Sequence, residues 1–135
     1  MLVTDVDLIV EWMTPRLDGE PFRSAPTGLG YTDAAGNLVA AVCYSDWTGT
    51  SVTASIVIDV ITKGFLRYIF DYPFNQLKVK KILAHVAEDN LKSIAMLEKM
   101  GFKQECYIAD VYPEGGMFIY SMTIEQCKWL EINHG

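Results

Sequence analysis

The sequence predicts a single α/β domain over residues 1–135, built on a mixed, mostly antiparallel central sheet flanked by helices. Three observations carry that expectation. Turn signals at residues 33–37 and 47–50 separate apolar runs that read as successive strands. From Val52 the pattern alternates, with Val52, Ala54, Ile56 and Ile58 on one side and Ser51, Thr53, Ser55 and Val57 on the other. Between Ile58 and Ile82 there is room for one helix, and a crossover helix between neighbouring strands requires those strands to run parallel.

Taken in order, Thr4 with Asp7 reads as a capping-box-like start for a short helix through Met13, with Ile9, Val10 and Met13 facing inward. Residues 14–28 hold three prolines and lack periodicity, which predicts a loop that rims a site. Strands are expected at 29–32 and 38–44, then the alternating strand from residue 51. A central helix over 64–77 follows, with Thr62 or Lys63 near its cap, and Pro73 kinks or ends its regular part. The rest reads as a strand at 81–86, a helix from Asn90, strands at 102–108 and 117–123, and a short terminal helix capped by Thr123 and Gln126.

Composition narrows the function. Half of the 135 residues are apolar, including three Trp, seven Tyr and six Phe, so the chain can bury a core and disorder is excluded. A bilayer span needs roughly 20 consecutive apolar residues. No run approaches that length, and with the acidic N-terminal stretch this predicts a cytoplasmic protein that engages no membrane. Cys43, Cys106 and Cys127 are odd in number, widely spaced and accompanied by only two His, which predicts thiols in or near the core and no metal. A net charge of −6 argues against general nucleic-acid binding. Eight of the 11 basic residues nevertheless fall between positions 63 and 103, a patch that reads either as solvated helix face or as a receiver of a phosphorylated cofactor.

Residues 88–102 are the most informative stretch. Asn90 is the expected N-cap, Leu91, Ile94, Leu97 and Met100 form an apolar stripe, and Gly101 stands where a left-handed C′ residue belongs. The spacing of Asn90, Ser93, Leu97, Glu98, Lys99, Met100, Gly101 and Phe102 resembles the closing motif of the GNAT superfamily of acetyl-coenzyme A dependent N-acyltransferases. The flavour it resembles most is the ribosomal-protein N-acetyltransferase type, here with an abbreviated N-terminal part and an atypical pyrophosphate loop.

That resemblance implies a GNAT-like acyl-CoA N-acyltransferase fold and direct acetyl transfer from acetyl-CoA, as cosubstrate, to a primary amine of a small molecule or protein. It places the thioester between two splayed parallel strands, with backbone donors around Ile58 and Val60, and the pyrophosphate at the start of the central helix, around Lys63, Gly64 and Phe65. The family carries two small residues in that loop; this chain has Gly64 alone, which also reads as a plain helix-entry turn. Asn90 caps its helix and could turn its amide toward the pantetheine arm or the amine. Ser93 and, more weakly, Lys92 stand near the phosphates.

His85 occupies the place of a catalytic Glu in some relatives and suits a base that deprotonates the acceptor, although it reads equally as a satisfied sheet histidine. Asp59, Glu88 and Asp89 lie at strand ends and could bind or deprotonate the acceptor. Leu97 stands where relatives often have a proton-donating Tyr, with Tyr107, Tyr112 and Tyr120 as substitutes. The alternative class is a noncatalytic GNAT-like module that binds a protein or nucleotide. Trp12, Trp47 or Trp129 could contribute to a homodimer contact.

Overall fold

Local capping chemistry sets the helix starts. The computed structural model describes residues 1–17 and 27–131. Helix α1 (Val6–Met13) is capped by Asp5, whose side chain accepts from the Asp7 and Leu8 N–H groups, so the cap is Asp5 rather than Thr4. Helix α2 (Lys63–Asp71) begins at Thr62, whose hydroxyl accepts from Phe65 N at 3.2 Å. Helix α3 (Leu91–Met100) begins at Asn90, whose Oδ1 accepts from Ser93 N at 3.2 Å. Helix α4 (Lys128–Glu131) follows a turn, Ile124–Gln126, held by the Thr123 and Gln126 capping box.

Pro73 ends the regular part of α2. It lacks the N–H that would have bonded to the Ile69 carbonyl four residues earlier, and the chain widens into a π turn, Tyr72–Gln76. The released Ile69 carbonyl accepts the hydroxyl of buried Tyr44. Burial holds the Tyr44 phenol well above its ordinary pKa, so it remains a donor.

Among the described residues, seven strands form one sheet: β1 (Leu2–Val3), β2 (Thr27–Thr32), β3 (Leu38–Ser45), β4 (Ser51–Ile58), β5 (Lys81–Ala87), β6 (Lys103–Tyr112) and β7 (Gly115–Thr123). Their spatial order is β1-β2-β3-β4-β5-β7-β6, and every pairing is antiparallel except β4 with β5. This is the mixed sheet that the alternation and the crossover helix predict. The expected strands at 29–32, 102–108 and 117–123 are each longer. Of the loop expected over 14–28, residues 14–17 form a tight helical turn and 27–28 begin β2; the remainder lies outside the described residues.

The alternation on β4 divides the molecule. Val52, Ala54 and Ile56 join Val42, Ile82 and Ala84 in the main core, beneath Phe65, Ile69 and Phe70 of α2 and Leu97 and Met100 of α3. The opposite face carries a smaller core in which Ile9 and Met13 of α1 pack on Ala41 and Cys43 of β3. Gly28 and Gly30 of β2 admit α1: a Cβ on Gly30 would stand 2.8 Å from Leu38 Cδ2 and 3.3 Å from Ile9 Cγ1. Each fully buried large apolar side chain contributes roughly 1.5–3 kcal/mol. The two exposed ion pairs, Arg16 with Asp59 and Lys81 with Glu105, are worth about 0–1 kcal/mol each. Packing therefore holds the fold, and the ion pairs orient side chains.

Two expectations about the core change. Leu91 is 73% exposed, because as the first residue of α3 it lies beyond the reach of the sheet; Ile94, Leu97 and Met100 face inward, with Met96 also packed against the core. Cys106 is exposed on β6, an edge strand covered on neither face, while Cys43 and Cys127 are buried. That edge is interrupted by irregularities between Gln104 and Cys106 and between Ile108 and Tyr112, which limit its pairing with another chain.

Gly101 closes α3 with φ +111°, its N–H reaching back to Glu98 and Leu97 carbonyls. Gly101→Ala should lower stability by about 1–2 kcal/mol, because a Cβ is disfavoured in the left-handed region. A urea-denaturation midpoint shifted to lower denaturant, with an unchanged slope, is the expected result.

Candidate active site

The parallel pair β4/β5 exists only at one end. Its register runs Ser51 with Lys81, Val52 with Ile82 and Thr53 with Leu83, and stops there. Beyond it β4 stays paired to β3 through Ile58, and β5 stays paired to β7 through Ala87. Two strands anchored to different neighbours diverge, and a slot opens between them toward the starts of α2 and α3.

Hydrogen-bond parity determines which backbone groups face that slot. The Asp59 and Val60 N–H groups both donate to the Val39 carbonyl of β3, at 2.8 and 3.1 Å. Counting back in steps of two, Val57 and Ser55 also point toward β3, which leaves the backbone of Ala54, Ile56 and Ile58 facing the slot. The Ile58 backbone faces the slot. Val60 is not available as the expected donor, because its N–H is already bonded to the Val39 carbonyl.

At the head of the slot, α2 presents the N–H groups of Lys63 and Gly64 in its first turn. Phe65 is withdrawn: its N–H is capped by Thr62 and its side chain is buried in the main core. A Cβ placed on Gly64 would meet nothing within 4 Å, so the space above this turn is open. Lys63 is exposed beside it. Across the slot, Asn90 uses Oδ1 as the α3 cap, and neither its amide nitrogen nor the Ser93 hydroxyl has a partner among the described residues. Ile58 thus ends β4, Lys63 and Gly64 stand in the first turn of α2, and Asn90 and Ser93 stand at the start of α3.

His85 lies on the other face. Ile82, Ala84 and Val86 point into the main core beneath the helices, so His85 projects from the opposite side, exposed and level with the open part of the slot. Ser55 and Val57 of β4 share that face. Asp59 is turned toward α1, where its Oδ2 sits 3.3 Å from Arg16 Nε. Arg16 in turn donates to the Trp12 carbonyl at 2.8 Å and stacks 3.9 Å over the Trp12 ring. Asp59 is therefore an ion-pair partner at the rim. Sequence reasoning missed Arg16; the four-residue spacing of Trp12 and Arg16 was the available signal.

Glu88 serves the scaffold. Its Oε1 accepts the Gly116 N–H at 3.0 Å, its own N–H donates to the Gly116 carbonyl at 3.0 Å, and the Tyr107 hydroxyl also bonds to it. The Gly116 N–H and Tyr107 bonds hold the carboxyl below its usual range, while Glu88 pushes the Tyr107 phenol up. The other tyrosines are no closer to the slot in role. Tyr120, on β7, is buried and donates to Glu98 Oε2 at 3.0 Å, and Tyr112 lies on β6 with its hydroxyl 3.7 Å from Met117 Sδ. Leu97 is 4% exposed, within the core. No tyrosine proposed as proton donor faces the slot, since β7 and β6 lie one and two strands beyond β5.

Among the described residues, no cluster of His, Cys, Asp and Glu is placed to hold a metal, and no helix is long and apolar enough to cross a membrane. Trp129 is engaged internally, its Nε1 donating to the Met100 carbonyl at 2.8 Å, while Trp47 is exposed.

A sheet that parts between one parallel pair, with helices starting at the head of the gap, is matched across its whole extent by solved structures. A spermidine N-acetyltransferase variant from Vibrio cholerae aligns with a TM-score of 0.73 at 20% identity, covering 98% of this chain and 99% of that one. The fold is that of the GNAT N-acyltransferases. The same enzyme solved in complex with CoA and spermine aligns with a TM-score of 0.69 at 20% identity, covering 96% of this chain and 97% of that one. In sequence, the spermidine N(1)-acetyltransferase of Vibrio cholerae serotype O1 is 34% identical over 74 residues, which is 50% of this chain and 43% of that protein. The matched stretch thus spans less than half of the curated relative. No family model matches the chain.

These relatives correct one expectation. The GNAT-fold chain resembles the spermidine acetyltransferases and not the ribosomal-protein type. The motif over residues 90–102 could not separate the two, because its Asn90 cap, inward stripe and left-handed Gly101 are requirements of building α3, whatever the acceptor.

Glu88 generates a pH prediction. Its carboxyl titrates lower in the folded chain than in the unfolded one, so its ionisation favours folding above the ordinary glutamate pKa, and that contribution disappears as pH falls through the folded-state value. Glu88→Gln should therefore lower the urea midpoint at pH 7, with the gap to wild type shrinking as pH falls below 4. An equal gap at both pH values would remove the clamp.

Proposed function

We propose that this GNAT-fold chain transfers an acetyl group directly from acetyl-CoA to a primary amine of a spermidine-like polyamine. The observation that carries the reading is the slot between β4 and β5, lined by the inward backbone of Ile56 and Ile58 and headed by the first turn of α2. The likeness to structures that bear the spermidine acetyltransferase name, one of them with CoA and spermine, supports the same substrate class.

In this reading acetyl-CoA is a cosubstrate and no metal takes part. The Lys63 and Gly64 N–H groups and the positive end of α2 receive its phosphates, with the Lys63 ammonium beside them. The Asn90 amide and the Ser93 hydroxyl bind the arm that enters the slot. The Ile58 N–H faces the oxygen on which negative charge develops, and it needs no reorganisation because β3 holds the strand in place. The acceptor approaches from the His85 face. Its ammonium loses a proton to His85, the free amine forms the C–N bond as the C–S bond breaks, the new amide nitrogen gives its extra proton to solvent, and solvent protonates the departing thiolate, since Leu97 cannot. Asp59, held by Arg16, offers a rim carboxylate to a second ammonium of the polyamine. The absence of a disulfide among Cys43, Cys106 and Cys127 fits a reducing, cytoplasmic setting.

One observation favours the second reading, a noncatalytic module that binds a nucleotide or protein: the buried Leu97 leaves the slot without a proton-donating phenol. Calorimetry and a thiol-release assay separate the two. Acetyl-CoA should bind with a micromolar-scale Kd, weakened by Lys63→Glu, and spermidine should release thiol. His85→Gln should lower kcat by about 100-fold or more with little change in acetyl-CoA affinity. Cofactor binding without transfer to any amine would favour the module, and no binding of acetyl-CoA by folded protein would overturn the enzyme reading and leave the module.

A further inference from the structure

A second concavity lies outside the slot, between α2 and α4. It has a volume of about 190 Å³ and is lined by Lys63, Arg67, Lys128 and Trp129. Lys63 and Arg67 stand four residues apart and so share one face of α2. Lys128 enters from α4, its ammonium 3.2 Å from the Lys99 carbonyl and 4.9 Å from the Trp129 ring centre. Trp129 is fixed by its bond to the Met100 carbonyl and by stacking on Phe70, with ring centres 6.5 Å apart.

The charge balance at this place is unusual for the chain. The protein carries a net charge of −6, yet among the described residues three cations and no carboxylate line the cavity. Among the described residues the ion pairs are Arg16 with Asp59 and Lys81 with Glu105, so none of the three cations has a carboxylate partner. Like charges gathered around an apolar-walled concavity repel one another and focus a positive potential into it. An anion placed there turns that repulsion into attraction. A guanidinium fork matches phosphate oxygens in pairs, and a phosphate near neutral pH carries close to two negative charges, enough to engage the flanking ammonium groups as well.

We propose that this cavity is a phosphate-binding site distinct from the acyl slot, with Arg67 making the paired contact, Lys63 and Lys128 flanking it and Trp129 forming the floor. The site does not rest on acetyl transfer, because phosphate can be held there whether or not the slot takes a thioester. The phosphate has two possible sources, a terminal phosphate of the ligand that occupies the slot or a separate phosphorylated molecule, and both present the same chemistry to the cavity.

Calorimetry with inorganic pyrophosphate, CoA and dephospho-CoA tests it, using wild type, Arg67→Gln, Lys128→Gln and Arg67→Lys. Pyrophosphate should bind wild type, weaken by about tenfold in each glutamine variant, and recover in part in Arg67→Lys. If Arg67→Gln weakens CoA and leaves dephospho-CoA unchanged, the bound phosphate belongs to the slot ligand. If pyrophosphate still binds the CoA-saturated protein and only Arg67→Gln or Lys128→Gln abolishes this, it belongs to a separate molecule. Either result upholds the site. Variants that bind pyrophosphate and CoA as tightly as wild type overturn it, as does a wild type that ignores pyrophosphate and binds CoA and dephospho-CoA equally. No arm requires turnover, so a protein inactive on every amine would still decide the question.

Discussion

The arrangement depends on a disagreement between two strands about their partners. β4 is tied to β3 from Thr53 to Ile58, and β5 is tied to β7 along its full length, but β4 and β5 agree only from Ser51 to Thr53 and from Lys81 to Leu83. Backbone groups without a strand partner are costly inside a protein unless something satisfies them. The inward backbone of Ile56 and Ile58 is thus left facing a space that water or a ligand must fill. An ordinary sheet would close here, and the chemistry assigned to the slot would have no place.

Two cores keep the strands from closing. On one face α2 and α3 press on the even residues of β4 and β5, with Phe65, Phe70, Leu97 and Met100 filling the layer. On the other face α1 covers β3 through Ile9 and Met13 on Ala41 and Cys43, with Val57 of β4 packed against the same cluster. That cover stops short of β5, where His85 stands exposed on the face opposite α2 and α3. Glu88, bonded to Gly116 and Tyr107, ties the end of β5 to the β6/β7 turn and steadies that wall of the slot.

Charge is distributed to match. The chain as a whole carries an acidic surplus, while Lys63, Arg67 and Lys128 form a basic flank beside α2. Lys63 stands at the junction of the slot head and the flank cavity. Asp59 looks from sequence like a free strand-end carboxylate, but it is drawn to Arg16, and Arg16 is itself held over Trp12. The pairing partner comes from 43 positions earlier in the chain, which no local pattern announces.

Local, short-range physics determined much of this protein from its sequence alone: the alternation of β4, the caps at Thr62, Asn90 and Thr123, the break at Pro73 and the left-handed close at Gly101. Each is settled within a few residues, by side chains that bond to nearby N–H groups or by a ring that lacks one. The mixed sheet followed from those elements in order, while the site roles of Ile58, Lys63, Gly64, Asn90 and Ser93 came from the resemblance of residues 90–102 to a family motif. Tertiary structure alone decided where the β4/β5 register stops, that the Val60 N–H is taken by Val39, that Phe65 turns into the core and that Glu88 clamps a distant turn. Those outcomes depend on which strands and helices compete for the same backbone groups and the same buried space, and that competition exists only once the chain is assembled.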